Sequence, residues 1–209
     1  MATQHHGITG REVQSGIIPM KDAQTNIIGL IAFADDADPL VFPENTPVRV
    51  SSINRALPAA GLTGNLRKSL ETIAMITNPT LIVVRIPNPF GDEIFQTNAV
   101  AGYVSETGQR TGILAFLTAK SILGIAPKIL IAPDVETPAV VESLASVCKK
   151  LRAYAYVTPR DAASAQMLET AEEVALYRDQ LAHREIEIIW PEWTSGNVFL
   201  GEILPPPVA

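Results

Sequence analysis

Between residues 128 and 193, three strand-length apolar runs alternate with two amphipathic helical ones. Residues 128–132, 153–157 and 185–190 are the candidate strands, and 137–151 and 170–182 the candidate helices. This alternation confines the segment to βαβ units, because parallel neighbours need a crossover long enough to hold a helix. A mainly parallel sheet with right-handed crossovers follows. The helix ends agree: Pro138 suits a first helical position, and Thr170 and Glu173 stand at capping-box spacing. Val140, Val141, Leu144, Cys148 and Leu151 share one helical face, which places the thiol in the core as a small hydrophobe. Sheets of this kind take ligands at their carboxyl edge, so chemistry is sought there first.

The rest of the chain is read around that frame. Residues 1–22 read as an extended arm: Ile8, Thr9, Gly10, Arg11, Glu12 and Val13 alternate weakly, and Gly7, Gly16 and Pro19 interrupt any helix. An arm with no core of its own is ordered only by docking on something. Residues 23–104 are expected to form a small β-rich domain. Its strands cover 26–33, 47–50 and 80–86, its polar loops 35–47 and 88–93, and its helix 65–76, which Asn65 can cap. Residues 95–104 fit helix or strand. A turn over 105–110 opens an α/β layer over 105–198, which starts with a helix over 111–123 closed by Gly124. Residues 199–209 read as the start of a C-terminal region cut short. The fold class is therefore α/β (α+β overall): a small β-rich N-terminal domain followed by an α/β layer with a mainly parallel sheet.

Composition narrows the function classes. With 47% hydrophobic and 18% charged residues, the 209-residue chain has globular rather than disordered composition. A net charge of -6 argues against nucleic-acid binding through a general basic surface. Lys149, Lys150 and Arg152 cluster where a helix ends, where cations complement its dipole. A single cysteine, Cys148, forms no intrachain disulfide and lends secretion no support. Residues 1–16 lack the apolar core of a signal peptide, and the most apolar run, 27–34, falls well short of the ~20 residues that span a bilayer. The expectation is a soluble, intracellular product without membrane or nucleic-acid partners.

Little in the sequence announces catalysis. Gly61 and Gly64 precede the 65–76 helix, where amides can bind an anion. Their GxxG spacing lacks the lysine of a P-loop and the pattern of a dinucleotide fingerprint, so a plain turn is the simpler reading. Asp134, Asp161 and Glu192 each follow a candidate strand and can gather at the carboxyl edge as oxygen ligands for a divalent cation. A metal-dependent hydrolase is thus the enzymatic alternative, set against the preference of aspartate for turns and helix starts. A small-ligand binding module without chemistry is a third reading. His5 and His6 lie on the arm and His183 at a helix end, and no GxSxG elbow accompanies them. Trp190 and Trp193 bracket Pro191 and Glu192 and suit an interface or packing against following chain.

One ordered set of segments adds a different kind of information. The chain opens with His6-Gly7-Ile8, then Glu12, Gly16 and Pro19; it continues with the acidic run Ala34-Asp35-Asp36-Ala37-Asp38 and with Phe42-Pro43-Glu44-Asn45-Thr46-Pro47-Val48. Gly64, Leu66 and Leu70 follow, then Val83-Val84-Arg85-Ile86, the run from Leu144 to Ala153, and Ile188-Ile189-Trp190-Pro191. In order and spacing these resemble the tail sheath protein family of contractile-tailed phages and R-type pyocins, over nearly all of the chain. The resemblance implies a structural protein and no enzyme, with no cofactor at the carboxyl edge. Sheath subunits stack helically around a tail tube and contract to drive it through the bacterial envelope. The implied partners are neighbouring sheath subunits, the tail tube and baseplate proteins; the implied place is the virion tail, assembled in the host cytoplasm. Terminal extensions in the family add strands to neighbouring subunits, which gives the arm from Ile8 to Val13 a subunit-contact role by β-augmentation. Such head-to-tail contacts propagate as open helices. Family members continue through a further C-terminal region, so the 209-residue chain alone is expected to be monomeric or weakly associating.

Overall fold

The structure, a computed structural model, describes residues 26–90, 95–191, 195–197 and 202–204. The arm with Ile8 to Val13, and Glu192 and Trp193, lie outside the described residues. The first elements are β1 (Ile27–Phe33), β2 (Pro47–Val50), a short α1 (Ile53–Ala56) continued by one 3₁₀ turn, α2 (Leu66–Ile76) and β3 (Thr80–Ile86). Then come α3 (Thr97–Ala101), a 3₁₀ helix over Gly112–Thr118, α4 (Ala119–Leu123), β4 (Ile129–Ile131) and α5 (Pro138–Leu151). Next are β5 (Tyr154–Val157), α6 (Ala171–Gln180) and β6 (Ile186–Ile188). A separate antiparallel pair, β7 (Ser195–Asn197) and β8 (Glu202–Leu204), follows.

Six strands form one sheet in the order β2-β3-β1-β4-β5-β6. All neighbours are parallel except β2, which runs antiparallel to β3. The α/β class with a mainly parallel sheet is what the strand–helix alternation dictates. The boundary expected at residues 104/105 falls inside this sheet: β1 and β3 precede it, β4 to β6 follow it, and β1 pairs with both β3 and β4. A central parallel strand needs partners on both sides, and chain order does not reveal which they are. The other refinements are local. Residues 95–104 resolve into α3 and a bridge from Val104 to Arg110 across the 105–110 turn. The 111–123 helix begins with tighter 3₁₀ winding, and Gly124 closes it in the left-handed conformation.

Alternation along β1 and β3 sends side chains to both faces, which is why these strands read as continuous apolar runs. On one face Leu30, Ala32, Leu81 and Val83 pack with Leu66, Leu70 and Ile73 of α2 and with Ile53. On the other, Ile31, Ile82, Val84 and Leu130 pack with Val140, Val141, Leu144 and Val147 of α5 and with Phe116. Cys148 belongs to this second core and is fully buried. Burial, reinforced by the nearby Glu185 carboxylate, pushes its thiol up to about 12. Native protein at pH 8 is therefore expected to react with a thiol-specific chromogenic reagent only on unfolding. Rapid labelling of the folded chain would place the thiol outside the core.

Candidate functional site

In an open parallel sheet the ligand crevice lies where the connections change direction, beyond the carboxyl ends of the two strands that flank the switch. Here those strands are β1 and β4. The crevice is occupied by a side chain of the protein itself. Asn65 is almost fully buried; its Oδ1 accepts the Phe33 N–H (3.0 Å) and its Nδ2 donates to the Pro133 carbonyl (2.7 Å). Its own N–H donates to the Phe33 carbonyl (3.0 Å). Asn65 precedes α2 as expected, but its side chain makes no capping bond to the helix. Its amide is used instead to tie the end of β1 to the end of β4.

The expected acidic cluster is likewise engaged. Arg160, after β5, donates from Nε to Glu136 Oε2 (2.9 Å), from Nη2 to Asp134 Oδ1 (3.3 Å) and from Nη1 to the Ala165 carbonyl (3.1 Å). The Tyr177 hydroxyl of α6 donates to the Glu136 carbonyl (2.9 Å). Glu136 is buried, and burial pushes its carboxyl up to about 7 against the pull of Arg160. Burial first, and then Glu136, push the Tyr177 phenol up as well. Asp161 turns onto its own loop, accepting from the N–H groups of Ser164 and Ala163 (2.9 Å each), which hold its carboxyl below the usual range. Asp134 and Asp161 are thus not convergent ligands: a guanidinium faces the first and a tight turn consumes the second. Among the described residues no group of three or more His, Cys, Asp or Glu is placed to hold a metal ion. No observation favours the metal-dependent hydrolase built on Asp134, Asp161 and Glu192. Glu136 and Arg160 were missed in the sequence, although both follow strands by the positional rule that singled out Asp134.

His183 lies against α5, its Nε2 2.9 Å from Glu142 Oε2 and its Nδ1 3.1 Å from Lys149 Nζ. It fastens the chain before β6 to that helix, with no nucleophile in the set. The Trp190 Nε1–H donates to the Leu168 carbonyl (2.8 Å), so its polar tip is spent within the chain. Gly61 and Gly64 form a turn clamped by Asp36, whose carboxylate accepts from Leu62 N–H (2.7 Å), Thr63 N–H (3.0 Å) and the Thr63 hydroxyl. These bonds, the Thr63 hydroxyl foremost, hold the Asp36 carboxyl down to about 2.

The carboxyl edge is therefore a set of fastenings, and the loops held there carry exposed apolar side chains among exposed acidic ones. Arg85, buried on β3, donates to the Phe42 carbonyl (2.7 Å) and the Ala34 carbonyl (3.0 Å) and pairs with Glu44 (3.3 Å), fixing the 34–44 loop. Leu40 and Leu62 project from this framework into solvent.

No family model matches the chain. Curated relatives do. The tail sheath protein of Escherichia phage P2 is 37% identical over 202 residues, covering 94% of this chain and 50% of the relative. The major tail sheath protein of Serratia phage KSP20 is 35% identical over 199 residues, covering 94% and 49%. The chain thus spans about half the length of the curated relatives it matches. Among solved structures, the fold is similar to a chain of the PVC sheath complex of an extracellular contractile injection system in its contracted state. That match has a TM-score of 0.53 at 12% identity and covers 100% of this chain and 49% of the other. A chain of the anti-feeding prophage baseplate in its contracted state matches with a TM-score of 0.53 at 14% identity, covering 99% and 53%. The chain belongs to the phage tail sheath protein family.

Proposed function

We propose that the chain is part of a structural subunit that assembles helically around a tail tube in the virion tail and contracts to drive that tube through the bacterial envelope. The observation that carries this reading is the 37% identity to a phage tail sheath protein along nearly the whole chain. The plugged switch-point crevice and the Arg160-centred network support a mechanical rather than a catalytic role. Neighbouring subunits, the tail tube and baseplate proteins are the proposed partners, with assembly in the host cytoplasm.

The arm from Ile8 to Val13 is the proposed subunit contact, adding a strand to a neighbour's sheet. The protein expressed from its full reading frame is expected to form tubes visible by electron microscopy, and deletion of residues 1–20 to abolish them. Unimpaired tubes after that deletion would remove the role of the arm. The 209-residue chain alone is expected to sediment as a monomer or weak oligomer.

A further inference from the structure

The layer formed by α1 and α2 ends in two contrasting surfaces. At the carboxyl edge, Arg85 and Asp36 hold the 34–44 loop and the 61–64 turn in place, and Asp38 N–H bonds the Ala59 carbonyl (2.9 Å). Phe42 anchors the loop inward at 1% exposure, while Leu40 and Leu62 stand 92% and 79% exposed beside the exposed Asp35 and Asp38. At the amino edge, α2 ends on Met75 and Ile76, 69% and 72% exposed. There α1 is tied in through Ile53 N–H and the Asn78 side chain (3.5 Å), and it presents the exposed Arg55. Across the sheet, the end of α5 adds Lys149, Lys150 and Arg152 with the same sign.

Helix dipoles account for lysines in the last turn of α5. They do not account for Asp35, Leu40 and Leu62, which stand on loops, or for Met75 and Ile76. Arg67 and Lys68, in the first turn of α2, are opposing charges at the acidic end; Arg67 pairs with Glu71 of its own helix (2.8 Å), and Glu172 and Glu173 of α6 offset Lys68 across the sheet. One end of the layer is apolar with acid, and the other is apolar with base. The two point in opposite directions along the strands. A contact between unlike surfaces of this kind repeats from copy to copy without closing, and unlike charges at its rim set register and direction.

We propose that these ends are complementary docking faces for a second copy of this chain: Leu40 and Leu62 beside Asp35 of one copy pack onto Met75 and Ile76 beside Arg55 of the next. The proposal rests on the sheath reading and adds which surfaces of neighbouring subunits meet. In the protein expressed from its full reading frame, Asp35→Lys alone and Arg55→Glu alone are each expected to raise the concentration needed for tubes by at least about tenfold. An equimolar mixture of the two variants restores tubes, because alternating copies again bring opposite charges together at every contact. Assembly of either variant at the concentration of the unaltered protein overturns the proposal, and so does failure of the mixture. Leu40→Cys combined with Ile76→Cys gives a second, independent readout. Oxidation of its tubes yields a ladder of linked subunits on a denaturing gel, and tubes that stay unlinked overturn the contact. If the unaltered protein itself forms no tubes, the sheath reading falls and this contact with it.

Discussion

Replacing Arg160 with alanine is expected to cost the fold about 3–5 kcal/mol at pH 8, read as a shift of the urea unfolding midpoint, because it strands a buried carboxylate. Glu136 is 1% exposed, and its charged partner 2.9 Å away is the Arg160 guanidinium. The same substitution releases the Ala165 carbonyl and the half-exposed Asp134. A loss of this size is a large fraction of the stability of a typical domain. Replacing both partners together, Arg160→Met with Glu136→Leu, is expected to recover most of it, since two apolar groups leave no uncompensated charge behind. A single-variant loss under about 1 kcal/mol, close to that of an ordinary surface pair, would show that the pair does not carry the edge.

The pH dependence gives this prediction its signature. Burial holds the folded Glu136 carboxyl at about 7, against 4.5 for the free group. The folded state binds this proton more tightly than the unfolded one. The contribution of Glu136 to stability is therefore full below about 4.5 and is lost as pH rises through about 7. At pH 5 the folded carboxyl already holds its proton and Arg160 faces no buried charge, whereas at pH 8 it faces a carboxylate, so the cost of Arg160→Ala shrinks at pH 5 and grows at pH 8. Glu136→Gln, which has no proton to gain, is expected to flatten the slope across that window. A cost equal at both pH values would show that lost packing, rather than a stranded charge, is what is measured.

The parts of this architecture that depend on neighbours in sequence were legible, and those that depend on distant partners were not. The β2 and β3 spans coincide with the expected runs, and the capping box of Thr170 and Glu173 forms as its spacing requires. Propensity, caps and periodicity act within a few residues, so one sequence contains them. Asn65 shows the limit. Locally it is a helix cap, yet its amide is drawn away by Phe33 and Pro133, 32 and 68 residues distant. The pairing of β1 with β4, about a hundred residues apart in the chain, was hidden for the same reason. Asp134 and Asp161 were legible as residues following strands, but Asp134 is turned to Arg160 and Asp161 to its own loop, and an arginine three residues past a strand carries no mark of where it will point.

Gly64→Ala is the second large effect expected, and it ties the turn to the plugged crevice. Gly64 sits at φ +75, and a Cβ there would stand 2.1 Å from the Phe33 carbonyl oxygen and 2.8 Å from its carbon. Both are backbone atoms at the end of β1, so no flexible side chain can move aside. Relief requires shifting the 61–64 turn, which breaks the Asn65 N–H bond to Phe33 and pulls the Asn65 amide from Phe33 and Pro133. The expected cost is about 3 kcal/mol or more, combining left-handed strain with a lost buried network. Gly108→Ala is the control: φ is +82, but nothing lies within 4 Å of the added carbon, so only the conformational cost of about 1 kcal/mol remains. Comparable losses at the two glycines in thermal unfolding would mean that the close approach of Gly64 to β1 carries no weight. A large difference would locate the tightest fastening of the sheet at its switch point. Since Leu62 is held by the same turn, Gly64→Ala is then expected to weaken tube assembly even at temperatures where the subunit stays folded.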